Sequence, residues 1–112
     1  MYTHLLAAGS AVHTFGGMDL SVEWDPEKAE ANRRKHGVSF EEAANVLGDP
    51  LSATLPDPDH SEREERVLIL GRSAAGRFLI ASVTERSDRV RLISARPMTL
   101  RERRSYERSL EL

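Results

Sequence analysis

The chain has no cysteine and a single tryptophan among 112 residues, with aromatics making up 5%. Without cysteine there is no disulfide framework and no thiolate metal site, a composition that a reducing cytoplasm allows. No run of 18 apolar residues occurs, so no membrane-spanning helix is expected. A Walker-type phosphate loop, a Gly-rich dinucleotide turn and a nucleophile elbow are also missing, because neither Gly16-Gly17 nor Gly71 has the spacing they require. Nucleotide cofactors are therefore unsupported, and no cofactor is expected. Residues 1–17 contain no Lys, Arg, Asp or Glu and so lack the basic start of a secretory signal. Their small and polar residues keep no sustained period, and Met18 offers a second start. The segment is expected to be a disordered extension or a misannotated start.

What is present fits one domain over residues 18–112. A chain of this length with 39% hydrophobic and 30% charged residues has room for one core. The net charge of −2 hides an uneven distribution. From Glu85 to Leu112 eight arginines face five acids, whereas from Asp57 to Arg66 five acids face two arginines. Phosphate responds to such a local basic patch rather than to the total.

Leu20, Val22 and Trp24 alternate with Asp19, Ser21 and Glu23, the period of a half-buried strand. Asp25-Pro26 then starts a helix that Lys35, His36 and Gly37 end, with the basic side chains on the negative pole of the dipole and Gly37 in a left-handed cap. A second helix opens on Ser39 and Glu42, read as a reciprocal capping box, and its core face is Phe40, Ala43, Ala44 and Leu47. Leu51 to Leu55 is a weak strand, followed by a polar loop over 56–64. Apolar runs over 66–71, 77–85 and 89–96, joined by short turns, predict an antiparallel meander. Thr99 and Glu102 box the start of a last helix that runs to about Leu110. The order β-α-α-β-β-β-β-α defines an α+β domain.

A metal nuclease needs converging carboxylates or histidines. Asp57, Asp59, His60 and His36 are the candidates, but a solvated acidic loop explains the first three better, and no metal is expected. Arginines and a few proton-transfer groups remain. RNA is the substrate for which that set suffices, since its 2′-hydroxyl is a built-in nucleophile. Cleavage then needs a base, an acid and fixed positive charge at the phosphorane. Strict alternation puts Arg91 and Arg96 on opposite faces of the last strand unless a bulge intervenes. Arg96, Arg86 and either Arg103 or Tyr106 are candidates to meet at one edge. The plainer reading is a set of solvated arginines and salt bridges. His36 is a natural proton shuttle by type, but a helix-terminal histidine before glycine is already explained by the dipole. Glu85 is either a base or a partner of Arg86 or Arg91. Tyr106 either contacts substrate or buries its ring, and Trp24 belongs in the core.

The blocks Trp24-Asp25-Pro26, Lys28, Asn32, Lys35-His36-Gly37-Val38 and Phe40 resemble the BrnT toxins. The later blocks Glu65-Arg66, Thr84-Glu85-Arg86, Arg91 with Ile93-Ser94-Ala95-Arg96, and Glu102-Arg103 before Tyr106 extend the likeness over about residues 19 to 108. The resemblance implies a RelE-like fold and a metal-independent endoribonuclease toxin that arrests growth by cutting RNA in the cytoplasm. It also implies a BrnA-like ribbon-helix-helix antitoxin, joined in a heterotetramer that binds operator DNA through the antitoxin. It raises the weight on His36, Glu85, Arg86 and Arg96 as catalytic residues. Lys35, Arg91, Arg103 and Tyr106 become the substrate contacts. The alternative is a noncatalytic RelE-like module that binds RNA or an antitoxin with the same arginines as phosphate clamps.

Overall fold

Helix boundaries in this chain follow from the residues that cap them. The computed structural model describes residues 3–7, 10–15, 18–57, 65–86 and 89–111, with side chains from Ser21 onward. In α1 (Pro26–His36) the Asp25 carboxylate accepts from the Glu27 N–H at 2.9 Å, and Gly37 closes the helix at φ 69°, donating its N–H to the Arg33 carbonyl. In α2 (Phe40–Leu47) the Ser39 hydroxyl accepts from the Glu42 N–H at 3.0 Å. Only this half of the expected box forms. The Glu42 carboxylate instead accepts from Arg77 and from the Ser73 hydroxyl, because a charged partner outcompetes a backbone amide. In α3 (Leu100–Ser109) both halves of the Thr99–Glu102 box are present.

The strands are β1 (Thr3–Ala7), β2 (Ser10–Phe15), β3 (Met18–Glu23), β4 (Ala53–Pro56), β5 (Arg66–Arg72), β6 (Phe78–Arg86) and β7 (Arg89–Pro97). They form one sheet in the order β1-β2-β3-β7-β6-β5-β4. From β3 onward the element order is the one read from the sequence. The expected meander is β5-β6-β7, and among the described residues the one parallel pair joins β3 to β7. Two strands lie in the segment expected to be a disordered extension or a misannotated start. β2 pairs with β3 from Ser10↔Glu23 to Phe15↔Met18, and β1 folds back on β2. Main-chain pairing with an available strand edge demands neither charge nor a clean hydrophobic period, which is why the composition of residues 1–17 did not show it.

β3 runs beside β7 only from Arg89 to Arg91. Beyond that point the outer edge of β7 would present unpaired amides, and α1 supplies a side chain in place of a strand. The Asn32 amide nitrogen donates to the Ala95 carbonyl at 2.8 Å and to the Val38 carbonyl at 3.0 Å, and its oxygen accepts from the Ala95 N–H at 3.0 Å. This buried side chain thus satisfies both main-chain groups of Ala95 and anchors the chain entering α2.

The register of β6 on β7 shifts once. Ser82 opposes Ser94 and Val83 opposes Leu92, so Ile93 has no partner of its own. This bulge reverses the alternation along β7 and splits the residues into two faces. Val90, Leu92 and Ala95 join Leu79, Ala81 and Val83 of β6 against α1 and α2, in a core that includes Val22, Trp24, Val38, Phe40, Ala43, Ala44, Val46 and Leu47. Trp24 meets Phe40 edge to face at 6.0 Å, as a core residue. On the opposite face α3 lays Tyr106 on Leu70 and Ile80, with Ala53, Leu68, Phe78 and Met98 around them.

Replacing Asn32 with Ala leaves two carbonyls and one N–H without partners. Unfolding in urea is expected to show a loss of about 3 kcal/mol, at 1–3 kcal/mol for a buried unsatisfied group. An Asn32→Ala variant as stable as wild type would mean that water replaces the amide.

Candidate nucleic-acid interface

On the α3 side of the sheet, register places the polar residues in cross-strand rows. Ser21 of β3, Arg89 of β7 and Arg86 of β6 make one row. The next is Glu23, Arg91, Thr84 and Arg66, running from β3 through β7 and β6 to β5. Then come Ser94, Ser82 and Leu68, and after them Arg96, Ile80 and Leu70. α3 packs over the apolar end of this face. No helix among the described residues packs on the rows that hold Arg66, Arg86, Arg89 and Arg91. Their floor is Thr84 and Ser82, both buried. The Thr84 hydroxyl donates to the Glu65 carbonyl at 3.0 Å, whereas the Ser82 hydroxyl has no hydrogen-bond partner among the described residues.

Carboxylates hold several of these arginines in place. Glu23 accepts from Arg89 at 3.2 Å through one oxygen and from Arg91 at 3.4 Å through the other. Arg96 makes a two-pronged pair with Glu102, at 2.7 and 2.8 Å, and also donates to the Pro97 carbonyl. Because Glu102 accepts from the Thr99 N–H as well, Arg96 fastens the start of α3 to the end of β7. The Arg96 guanidinium and the Thr99 amide together pull the Glu102 carboxyl down from 4.5 to about 2, and the same pair raises Arg96.

The structure brings together some of the expected residues and separates others. The bulge at Ile93 puts Arg91 and Arg96 on the same face. Arg86 shares that face but lies six positions along β6 from Ile80, the partner of Arg96, a span of roughly 20 Å at ~3.3 Å per residue. The two arginines therefore do not converge, a correction to the expectation of a shared edge. Glu85 opposes Val90 and faces the α1–α2 side, exposed near the end of the strand. Lys35 and His36 end α1 one turn beyond Asn32, and Arg77 donates to the Gly37 carbonyl at 2.9 Å. That places them at the end of the sheet where β7 finishes, the Arg96 end.

Arg103 lies over the Phe78 ring at 4.1 Å and pairs with Glu107 at 3.1 Å. Tyr106 is buried, edge-on to Phe78, and its hydroxyl donates to the Leu51 carbonyl at 2.8 Å. Burial raises its phenol pKa, with the Asp49 charge adding to the effect. Beside it a cavity of about 290 Å³ is lined by Leu55, Leu68, Leu70 and Ile80. Among the described residues no three His, Asp or Glu side chains group as metal ligands; Asp59 and His60 lie outside those residues. No described helix is long and apolar enough to cross a membrane.

Three participants were given no role in the sequence reading. Arg66 and Arg89 enter the rows only through strand pairing. Glu23 was already on the polar side of its strand by alternation, but that its neighbour would be a basic strand has no local signature.

The family profile described as "Ribonuclease toxin, BrnT, of type II toxin-antitoxin system" matches residues 24–102. Among solved structures, the 1.1 Å crystal structure of the Brucella abortus ribonuclease toxin, BrnT, superposes with a TM-score of 0.50 at 19% identity. The match covers 68% of this chain and 92% of that one, a likeness of fold. No curated protein sequence matches the chain significantly.

Two outcomes follow from these contacts. Because the Glu102 pKa is depressed on folding, its contribution to stability is complete above pH 4.5 and is lost as pH falls towards 2. Glu102→Gln is expected to flatten the stability profile over that window, as read by thermal melts from pH 2 to 6; an unchanged slope would exclude the pair as its source. Ser82→Ala removes a buried hydroxyl that lacks a partner, so stability in urea is expected to hold or to rise by up to about 1 kcal/mol. A clear loss would reveal a hydrogen bond to that hydroxyl.

Proposed function

The chain belongs to the BrnT family of ribonuclease toxins of type II toxin–antitoxin systems, and we propose that it is a metal-independent endoribonuclease that reads RNA across the arginine rows of its sheet. The observation that carries the reading is the Ile93 bulge, which gathers Arg89, Arg91 and Arg96 of β7 onto the face that also holds Arg66 and Arg86. A strand of RNA laid over these rows meets guanidinium groups fixed on a rigid sheet, suited to bidentate contact with phosphate.

In this reading Arg86 and Arg89 hold phosphates, and Arg91 and Arg96 neutralise the charge that develops on the phosphorane when the 2′-hydroxyl attacks. Lys35 and His36, at the Arg96 end, meet the RNA where it leaves the sheet, and Arg103 of α3 over Phe78 of β6 offers a cationic and aromatic surface. Glu85 does not reach this face from its register position. Tyr106, whose ring is buried and whose hydroxyl is already bonded, supports α3 rather than the substrate.

The family implies an antitoxin partner and an RNA substrate. We take the partner to be a BrnA-like ribbon-helix-helix protein that silences the toxin in a heterotetramer and carries the operator-binding surface, and the site of action to be the cytoplasm. Release of the toxin then arrests growth.

The test uses purified chain with a labelled RNA in excess EDTA. Wild type is expected to cut it, and the same sequence with 2′-deoxyribose to resist. Arg91→Ala should lower the rate by about 10²–10³, as for loss of one electrostatic stabiliser, and Arg91→Lys by less. Cleavage that stops in EDTA would exclude the metal-independent reaction. Binding without cleavage would favour the noncatalytic module, in which the arginines clamp phosphate and nothing more.

A further inference from the structure

We propose that Glu23 is the proton acceptor for the ribose 2′-hydroxyl, an inference that rests on the ribonuclease reading above. Proton transfer requires a group on the same face as the arginines, and the sheet register decides which carboxylates are there. Glu85 is turned to the α1–α2 side. Glu102 faces the right way, but Arg96 engages both of its oxygens and the Thr99 N–H takes one of them again. Arginine itself stays protonated at any working pH and cannot serve. Asp57, opposite Arg66 at the end of β4, is buried, and Asp19 lies on β3 ahead of its pairing with β7, so Glu23 is the carboxylate that stands beside Arg91. It lies level with Arg91 in the parallel β3–β7 pair, with Ser10 as its neighbour on β2 and with Thr84 and Arg66 further along the same row.

Its contacts suit the task. Each oxygen accepts one long guanidinium contact, at 3.2 and 3.4 Å, and retains a lone pair for a further donor. The side chain is 24% exposed, within reach of a ligand lying on the rows. A 2′-hydroxyl and the non-bridging oxygens of its 3′-phosphate are only a few ångströms apart. The base would therefore sit at the hydroxyl while Arg89 and Arg91, which orient it, reach the phosphate.

In the step itself the Glu23 carboxylate takes the 2′-hydroxyl proton. The O2′–P bond forms, the P–O5′ bond breaks, and the electron pair leaves on the 5′-oxygen, which takes a proton from water. The products are a 2′,3′-cyclic phosphate and a 5′-hydroxyl, and Glu23 returns its proton to solvent.

The deciding experiment compares the full chain with Glu23→Gln and Glu23→Asp. Cleavage of RNA, binding of the uncleavable 2′-deoxy analogue and the thermal midpoint are measured together. The expected result for Glu23→Gln is at least a 100-fold loss of cleavage, with binding of the analogue equal to or tighter than wild type and a midpoint within a few degrees. Glu23→Asp should cut at an intermediate rate, and the rise of kcat/KM with pH should vanish from the residual activity of Glu23→Gln. Cleavage by Glu23→Gln at the wild-type rate would overturn the assignment. So would equal losses of binding and cleavage, which would make Glu23 a strut for Arg89 and Arg91. Wild type that binds RNA without cutting it overturns the ribonuclease reading, and the role of Glu23 with it, whereas the first two outcomes leave that reading intact.

Discussion

Alternation is the governing constraint on a strand, and one unpaired residue, Ile93, changes its phase in the middle of β7. Before the bulge, Arg89 and Arg91 face away from the core while Val90 and Leu92 face into it; after it, Ala95 faces in and Arg96 out. The same sequence in unbroken alternation would bury Arg96 and expose Ala95 together, which would break the core and scatter the basic face. Bulges bend and twist the strand that carries them. Here the bulge gives one strand both a continuous apolar side and a continuous basic side.

The second constraint is local to the same strand. β3 leaves β7 at Arg91, and the main-chain groups beyond that point need partners that no described strand supplies. Asn32 meets this need with donor and acceptor on one planar amide, the arrangement a peptide group itself would offer. A helix docked through such a side chain is fixed in translation as well as contact, because sliding by one residue breaks every bond at once. The direction in which α1 points, and so the place where Lys35 and His36 emerge, follows from that anchor.

Much of this fold was legible where the signals are local. Asp25-Pro26, Gly37 and Thr99 with Glu102 mark helix ends through contacts within four residues, and each appears as read. Ser39 was legible and the return contact from Glu42 was not, since Arg77 is 35 residues away and more strongly charged. The meander was legible from its short turns. The phase of β7 was an open choice, because a sequence shows alternation but not where an extra residue is accommodated. Arg86 and Arg96 were grouped by proximity to turns and helix, yet the length of β6 separates them. Glu23 was placed on the polar side of its strand without its partners, for the parallel neighbour of β3 comes from the far end of the chain.

The ion pairs of the basic face also bear on how a chain of net charge −2 meets a polyanion. Glu23 and Glu102 act as counterions built into the protein, resident where mobile salt would otherwise condense on Arg89, Arg91 and Arg96. In the proposed reading, a phosphate that docks on these groups shares them with a tethered carboxylate, and no anion is set free into solution. A guanidinium already paired with a carboxylate displaces fewer of the cations condensed on the nucleic acid, so association gains less from their release than the number of arginines suggests. Its strength depends more on geometry at the contact and less on the saltiness of the medium.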